Sequence, residues 1–90
     1  MALRYRELER LVRGFSNHRR LQILEHLEKN PELSVVEISG QLRIHFKTAS
    51  QHIQRLAAAG LVIKRSDGTS VRHALTKRGN TVLKFLRIIE

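Results

Sequence analysis

The sequence has no cysteine, one proline and four aromatic residues among its 90 positions. Without cysteine the chain has no disulfide, no thiolate metal site and no cysteine nucleophile, which is consistent with a reducing cytoplasm. The aromatic residues lie far apart, so no platform for stacking unpaired RNA bases is expected. No apolar run approaches the roughly 20 residues that span a bilayer, and the charged N-terminus does not resemble a secretory signal. We therefore expect one cytoplasmic domain, residues 1–90, with no membrane partner.

Acidic residues are almost absent from the second half of the chain. Between residues 38 and 84 there are nine lysines and arginines and a single acid, Asp67, a net charge of +8 out of +9 for the whole chain. Neutralising DNA phosphates requires such concentrated positive charge, and its placement favours DNA over an acidic membrane surface. The five histidines lack acidic partners and metal-ligand spacing, so no enzyme, metal site or cofactor is expected.

Hydrophobic periodicity, caps and turn residues predict a mainly α-helical fold with one β-hairpin, in the order α-α-α-α-β-β-α. Gly14 is expected to end the first helix, Asn17 or Ser16 to cap the second, and Thr76 to cap the last. An Asp-Gly pair at 67–68 predicts the hairpin turn. The predicted helices are 2–13, one between Asn17 and Asn30, 35–42, 46–59 and 77–89, and the predicted strands are 61–65 and 70–75.

Residues 34 to 59 have the pattern of a helix-turn-helix, and residues 61 to 75 that of a wing beside it. Ser34 and Glu37 form a Ser-x-x-Glu capping box, which predicts the start of the first helix of the motif. At about 100° per residue, Ala49, Ile53 and Leu56 share one side of the second helix, and polar residues occupy the other. A winged helix-turn-helix inserts this second helix into the major groove of DNA, so we predict that fold class.

The polar side of this second helix supplies the predicted DNA contacts. Gln can pair with adenine, Lys can donate to guanine and Ser can pair with either, whereas flanking Thr and Arg suit phosphates. Phe46 is expected to cap the core, with a thymine methyl group as the alternative partner, and His52 to be structural or to touch phosphate. The alternative for all of these residues is that they form an ordinary solvent-exposed helix face that contacts no DNA. The predicted contacts are Lys47, Ser50, Gln51 and Gln54 for bases, Thr48 and Arg55 for phosphates, and Phe46.

Four polar residues flank the hairpin turn: Arg65, Ser66, Thr69 and Arg72. A basic two-stranded wing can reach the DNA backbone or an A·T-rich minor groove, so these residues are also predicted DNA contacts. The alternative is an ordinary solvated hairpin. Asp67 at the tip is unfavourable beside phosphate and is attributed to the turn that Asp-Gly forms.

Both ends of the chain carry more apolar residues than one buried face needs. A single helix-turn-helix covers one half-site, and specific binding usually needs two copies about 34 Å apart. We therefore predict that the first and last helices form the interface of a homodimer, the alternative being that they only complete the monomer core. The predicted interface residues are Leu3, Leu8, Leu11, Phe15, Val82, Leu83, Phe85, Leu86 and Ile89, with Ile88 beside them.

Four stretches resemble, in order and without gaps, segments of ArsR-type transcriptional repressors: Phe15–Leu27, Leu33–Ile38, Thr48–Leu56 and Ala59–Val62. Leu75–Gly79 resembles the Leu-Thr-x-x-Gly that opens the last helix of MarR-type winged helices. The resemblance covers about residues 15 to 75, and its motifs are specific in combination rather than singly. It implies a homodimeric bacterial or archaeal repressor that binds a pseudo-palindromic DNA operator through the second helix of the motif.

The sequence departs from the metal-sensing members of that family. Some carry Cys-x-Cys in the third helix, where this chain has Val35-Val36-Glu37, and others carry Asp and His ligands in the last helix, where this chain has neither. Metal sensing is therefore not expected. His45 stands where a Ser-like cap is usual, which predicts a weakly capped start of the following helix.

Two other functions remain open from the sequence: a winged helix used for protein–protein contact, and non-specific binding of nucleic acid. The concentrated positive charge argues against the first, because a protein-binding module needs no field of a single sign. The favoured function is that of a sequence-specific, DNA-binding transcriptional regulator that is not an enzyme.

Overall fold

The computed structural model describes all 90 residues and contains five helices and one antiparallel hairpin, in the predicted order. The predicted winged helix-turn-helix architecture is therefore confirmed. None of the five helices has the length and hydropathy needed to cross a membrane. The elements are α1 Tyr5–Phe15, α2 His18–Lys29, α3 Val35–Leu42, α4 Phe46–Ala58, β1 Val62–Asp67, β2 Ser70–Leu75 and α5 Lys77–Ile89.

Three of the predicted helix caps are present as hydrogen bonds. The side chain of Asn17 accepts from the backbone N–H groups of Arg19 and Arg20 at the start of α2. At the start of α3, Ser34 and Glu37 form both halves of the capping box, with distances of 3.1 and 2.9 Å. Thr76 begins α5 by accepting from a backbone N–H. These bonds satisfy amides that a helix start otherwise leaves without partners, and each typically contributes about 1 kcal/mol.

The boundaries of α1 differ from those predicted. The helix begins at Tyr5, where no side chain forms a cap, and it continues through Gly14 to Phe15. Gly14 does not end the helix. It lies where α1 crosses the end of α4, and a Cβ built on it would overlap the Cβ of Ala59. Its missing side chain therefore permits close approach of two helices, a requirement that comes from tertiary packing.

The hairpin turn lies one residue later than predicted. Because Asp67 pairs with Ser70 as the last rung of the ladder, the two turn residues are Gly68 and Thr69, with φ of +63° at the glycine. Asp67 is thus a strand residue, and its carboxylate accepts a bond from Arg72. The opposite edge of β2 is joined to the loop between α2 and α3 by an isolated bridge with Leu33. The hairpin is consequently held against the helical part of the chain.

The core is one cluster that all of the helices enter. Its buried residues come from each of the five helices, from the α3–α4 turn and from the start of the hairpin, and complete burial of a large aliphatic side chain contributes about 1.5–3 kcal/mol. The cluster consists of Phe15, Ile23, Leu24, Leu27, Ile38, Ile44, Ala49, Ile53, Leu56, Leu61, Val62, Val82 and Leu83.

Three of the predicted dimer-interface residues belong to this monomer core. Phe15, Val82 and Leu83 are buried within the chain and have little surface left for a second copy. Leu11 and Leu86 are half-buried against the same cluster. The prediction was wrong for the three buried residues because helical periodicity identifies an apolar stripe without showing which part of it faces the protein's own core. Four of the remaining candidates are exposed: Leu3, Leu8, Phe85 and Ile89.

We predict that Gly14→Ala destabilises the protein, whereas Gly40→Ala does not. Overpacking at Gly14 costs about 1–3 kcal/mol, and alanine gains only about 0.5–1 kcal/mol over glycine within a helix. Gly40 lies inside α3, where an added Cβ meets open space, so only the gain applies there. Urea denaturation of both variants and the wild type measures the free energies of unfolding. Equal effects of the two substitutions would contradict the close approach of α1 and α4.

Candidate nucleic-acid interface

Helix α4 has one buried side and one exposed side. Ala49, Ile53 and Leu56 are at most 1% exposed and anchor the helix in the core. The opposite side combines short polar, amide and basic side chains, all exposed except the half-buried Ser50. The exposed predicted contacts on the helix are Phe46, Lys47, Thr48, Gln51, Gln54 and Arg55. The structure thus brings the residues predicted to contact DNA onto one accessible surface.

The position of α4 relative to α3 is fixed by the three-residue turn between them. Arg43 takes the left-handed conformation, with φ of +56°. Ile44 is buried in the core, and its N–H donates to the carbonyl of Ser39 at 2.9 Å. His45 caps α4, because its Nδ1 accepts from the backbone N–H of Lys47 at 3.3 Å. The length of this bond agrees with the predicted weak cap, and the buried isoleucine provides the stronger anchor.

Most of the exposed polar groups on α4 are not occupied by contacts within the chain. Gln54 donates a hydrogen bond of 3.3 Å to Ser50, which lies one turn earlier on the same helix. The other polar and basic side chains on this side form no side-chain hydrogen bond within the protein: Lys47, Thr48, Gln51 and Arg55. Their donors and acceptors are therefore available to base edges and phosphates without the loss of an existing bond.

Phe46 does not cap the core as expected. Its side chain is 53% exposed at the first position of α4, and the turn residue Ile44 is buried in the core instead. The structure leaves the aromatic ring on the same accessible surface as the polar residues. An exposed ring there suits the alternative partner, the methyl group of thymine.

His52 is half-buried at the edge of α4 and serves as an acceptor within the chain. Its Nδ1 receives a hydrogen bond of 3.2 Å from the Nε of Arg20. The same arginine donates to the carbonyls of Arg13 and Gly14, so it joins the end of α1 to α4. Burial lowers the pKa of His52, and the positive charge of Arg20 lowers it further. His52 is thus a neutral structural group, one of the two roles expected from the sequence.

Both arginines of the wing, Arg65 and Arg72, form ion pairs or hydrogen bonds with other residues of the chain. Arg65 and Arg72 lie directly opposite each other in the hairpin. Arg65 forms an ion pair of 3.2 Å with Glu32, and Arg72 donates to the Glu32 carbonyl at 3.0 Å and to Asp67 at 3.3 Å. The other two predicted wing contacts, Ser66 and Thr69, are exposed. The contacts with Glu32 could not be predicted from local sequence patterns, because Glu32 is far from the wing along the chain.

Two exposed cations of the helix-turn-helix and the hairpin were not among the predicted contacts. Arg43 lies in the turn immediately before α4, and Lys64 lies on β1. Both belong to the basic segment from residue 38 to residue 84, and the concentration of positive charge there is the sequence signal that could have identified them as candidate DNA contacts. No group of three or more acidic or histidine side chains is arranged so that it could hold a metal ion.

The sequence and the structure were compared with those of known proteins, and the chain matches a known family. The sequence profile of a family described as "Winged helix-turn-helix DNA-binding" matches residues 16–63. Over 66 residues the chain is 41% identical to the transcriptional activator HlyU of Vibrio cholerae, a match that covers 73% of the chain and 60% of HlyU. The match therefore spans less than two thirds of that relative's length.

Three solved structures have the same fold. A homodimeric winged helix-turn-helix DNA-binding domain of Mycobacterium bovis, Mb0332, described as a possible ArsR-family transcriptional regulator, has a TM-score of 0.85 at 27% identity and covers 94% of this chain and 79% of its own. HlyU from Vibrio cholerae has a TM-score of 0.81 at 32% identity, with coverage of 99% and 97%. The transcriptional repressor BigR from Xylella fastidiosa has a TM-score of 0.77 at 28% identity, with coverage of 96% and 85%.

We predict that His52 makes the protein less stable below neutral pH. Its pKa in the folded chain is lower than the ordinary value of 6.5, so the unfolded chain binds the proton more readily. Above pH 6.5 His52 is mostly unprotonated in both the folded and the unfolded chain, so it does not reduce the free energy of unfolding. That free energy decreases as the pH falls from 6.5 towards the pKa of His52 in the folded chain. Urea denaturation between pH 7.5 and 5.5 should show a smaller loss of stability for His52→Gln than for the wild type. Identical pH profiles would contradict this assignment.

Proposed function

The chain belongs to the winged helix-turn-helix DNA-binding family, and we propose that it is a transcriptional regulator that binds a specific DNA sequence as a homodimer. Family membership, together with the similarity to the possible ArsR-family domain, confirms the resemblance to ArsR-like regulators. The single observation that carries the proposal is the two-sided helix α4. Its apolar side is locked in the core, so its polar and basic side is presented to solvent in one orientation.

The proposed contacts divide by chemistry. Lys47, Ser50, Gln51 and Gln54 have the donors and acceptors that distinguish base pairs in the major groove. Thr48, Arg55 and the wing residues Ser66 and Thr69 are proposed to contact phosphates, which fix the position of the protein but carry no sequence information. Phe46 is proposed to contact a thymine methyl group. The charge of +8 between residues 38 and 84 supports binding whose strength depends on salt concentration.

The proposed dimer interface is formed by apolar residues of α1, of α5 and of the segment before α1 that the monomer leaves exposed. Ile88 is 82% exposed and Phe85 51%, and Leu3, Leu8, Val12 and Ile89 are also accessible. A second copy is the proposed occupant because two half-sites one DNA turn apart require two such domains. The Mycobacterium bovis domain is described as homodimeric, which supports the proposal of a dimer.

We further propose that the protein is a repressor in the cytoplasm of a bacterium or archaeon and is not an enzyme. Repression needs only that the dimer occupy DNA that another protein would use, so the surface described above is sufficient for it. BigR is described as a repressor, whereas HlyU is described as an activator. No metal or other cofactor is proposed, since Val35, Val36 and Glu37 stand where some metal-sensing members of the family carry Cys-x-Cys, and the last helix has no Asp or His.

Substitutions on the two kinds of contact should have different effects. Gln51→Ala should relax the preference at one base position by about 1–3 kcal/mol, because a bidentate base contact is lost. Arg55→Ala should weaken binding to all sequences alike and reduce the slope of log K against log[salt] by about 1, because a phosphate contact is lost. Fluorescence anisotropy with a selected target duplex, its single-base variants and a scrambled duplex measures both effects. The assignment of roles fails if both variants lose affinity equally on every duplex.

The dimer can be tested by making its apolar surface polar. Phe85→Gln/Ile88→Gln should shift the protein towards the monomer at tens of micromolar, because two large exposed apolar side chains are removed from the interface. Val36→Gln is the matched control, since Val36 is also exposed, at 67%, but lies on α3. Multi-angle light scattering gives the mass of each variant. A wild-type protein that is already monomeric at these concentrations would refute the proposed interface.

A further inference from the structure

Glu32 is a single acidic residue that contacts the wing through three different groups. Its N–H donates to the carbonyl of His73 at 2.9 Å, and its own carbonyl accepts from Arg72 at 3.0 Å. Its carboxylate pairs with Arg65 at 3.2 Å. The residue lies in the loop between α2 and α3 and takes the left-handed conformation, with φ of +65°, which is unusual for a residue with a side chain. The surrounding contacts therefore hold Glu32 on the hairpin.

The charges of the wing explain why an acid is useful there. Arg65 and Arg72 occupy opposite positions in the ladder, an arrangement in which like charges repel. Asp67 neutralises Arg72, and Glu32 is the only acid that pairs with Arg65. The side chains of Arg65 and Glu32 are 62% and 40% exposed, so a DNA phosphate can reach the pair. A phosphate that binds Arg65 would then lie beside a carboxylate of the same charge.

We propose that Glu32 is an intramolecular counterion that occupies the wing arginine Arg65 and thereby lowers the affinity of the protein for any DNA duplex. The inference rests on the proposed DNA-binding function. An arginine already neutralised by a carboxylate adds nothing to the net number of phosphates that the protein neutralises, and it releases no counterions from the DNA. Because wing contacts of this type are made to the backbone, Glu32 sets the strength of binding and its salt dependence without changing the preferred sequence.

The test is Glu32→Gln, which removes the charge but keeps the size of the side chain and the backbone contacts. The slope of log K against log[salt] should become steeper by about 0.9, the contribution of one additional phosphate contact. If binding is unchanged at 1 M salt, this slope corresponds to a gain in affinity of about eight-fold at 0.1 M. The gain should be the same on a selected target duplex and on a scrambled duplex of equal length, measured by fluorescence anisotropy.

Two further variants separate this role from a general effect of charge. Glu9→Gln removes another exposed carboxylate that pairs with an arginine, Arg13, but lies on α1, and it should leave the slope unchanged. In an Arg65→Ala background, Glu32→Gln should no longer steepen the slope. Thermal unfolding followed by circular dichroism checks that each variant is folded. If Glu32 had only a structural role, its substitution would not make the slope of log K against log[salt] steeper.

The possible failures are distinguishable. A folded Glu32→Gln variant that binds DNA more weakly, or with an unchanged salt slope, would overturn the counterion role and leave the DNA-binding function intact. A gain of equal size in Glu9→Gln would also overturn it, because the effect would then not depend on the wing. If the wild type and Glu32→Gln both fail to bind any duplex at low salt, the proposed function itself is wrong, and the inference falls with it.

Discussion

The burial of one side of α4 is the constraint on which the rest of this structure depends. Ala49, Ile53 and Leu56 lie in the same core that α2, α3 and α5 enter, and rotating the helix would expose them. Burial of Ile53 and Leu56 contributes about 1.5–3 kcal/mol for each side chain, or roughly 3–6 kcal/mol for the two together. This cost of rotation fixes the direction in which the opposite side of the helix points. The orientation of the side chains that are proposed to contact DNA is therefore a consequence of core packing.

The contacts around α4 preserve that orientation. The close approach at Gly14 joins α1 to the end of α4, and Arg20 links the carbonyls that end α1 to His52 on the same helix. At the other end, Ile44 holds the turn in the core. Because α1 also carries part of the proposed dimer interface, these contacts would connect the position of a second copy to the position of α4. Two helices could then be presented to two half-sites at a fixed spacing.

Much of the fold could be predicted because its signals are local. Asn17, the pair Ser34 and Glu37, and Thr76 each act within three residues of the helix that they begin, and the structure contains all of these bonds. The same holds for the two sides of α4, which follow from helical periodicity. These local signals were sufficient for the order of elements and for the surface that carries the predicted DNA contacts.

The features that the sequence did not reveal depend on residues that are distant along the chain. Gly14 was interpreted as a helix end because its contact with Ala59 cannot be seen locally. Phe15, Val82 and Leu83 were assigned to a dimer interface, although neighbouring elements bury them in the monomer. The pairing of Glu32 with Arg65 likewise depends on the bridge between Leu33 and His73, which brings the two segments together. In each case the decisive information was the packing of one element against another.

In the proposed function, the exposed side of α4 recognises a specific DNA sequence when the protein is a dimer. The measurement that decides this is to select duplexes bound by the protein from a pool of random sequence and to sequence them after several rounds. We expect enrichment of an inverted repeat whose half-sites are centred one helical turn, roughly 10 base pairs, apart. Recovery of bound duplexes without any common motif, or the absence of binding at low salt, would contradict it.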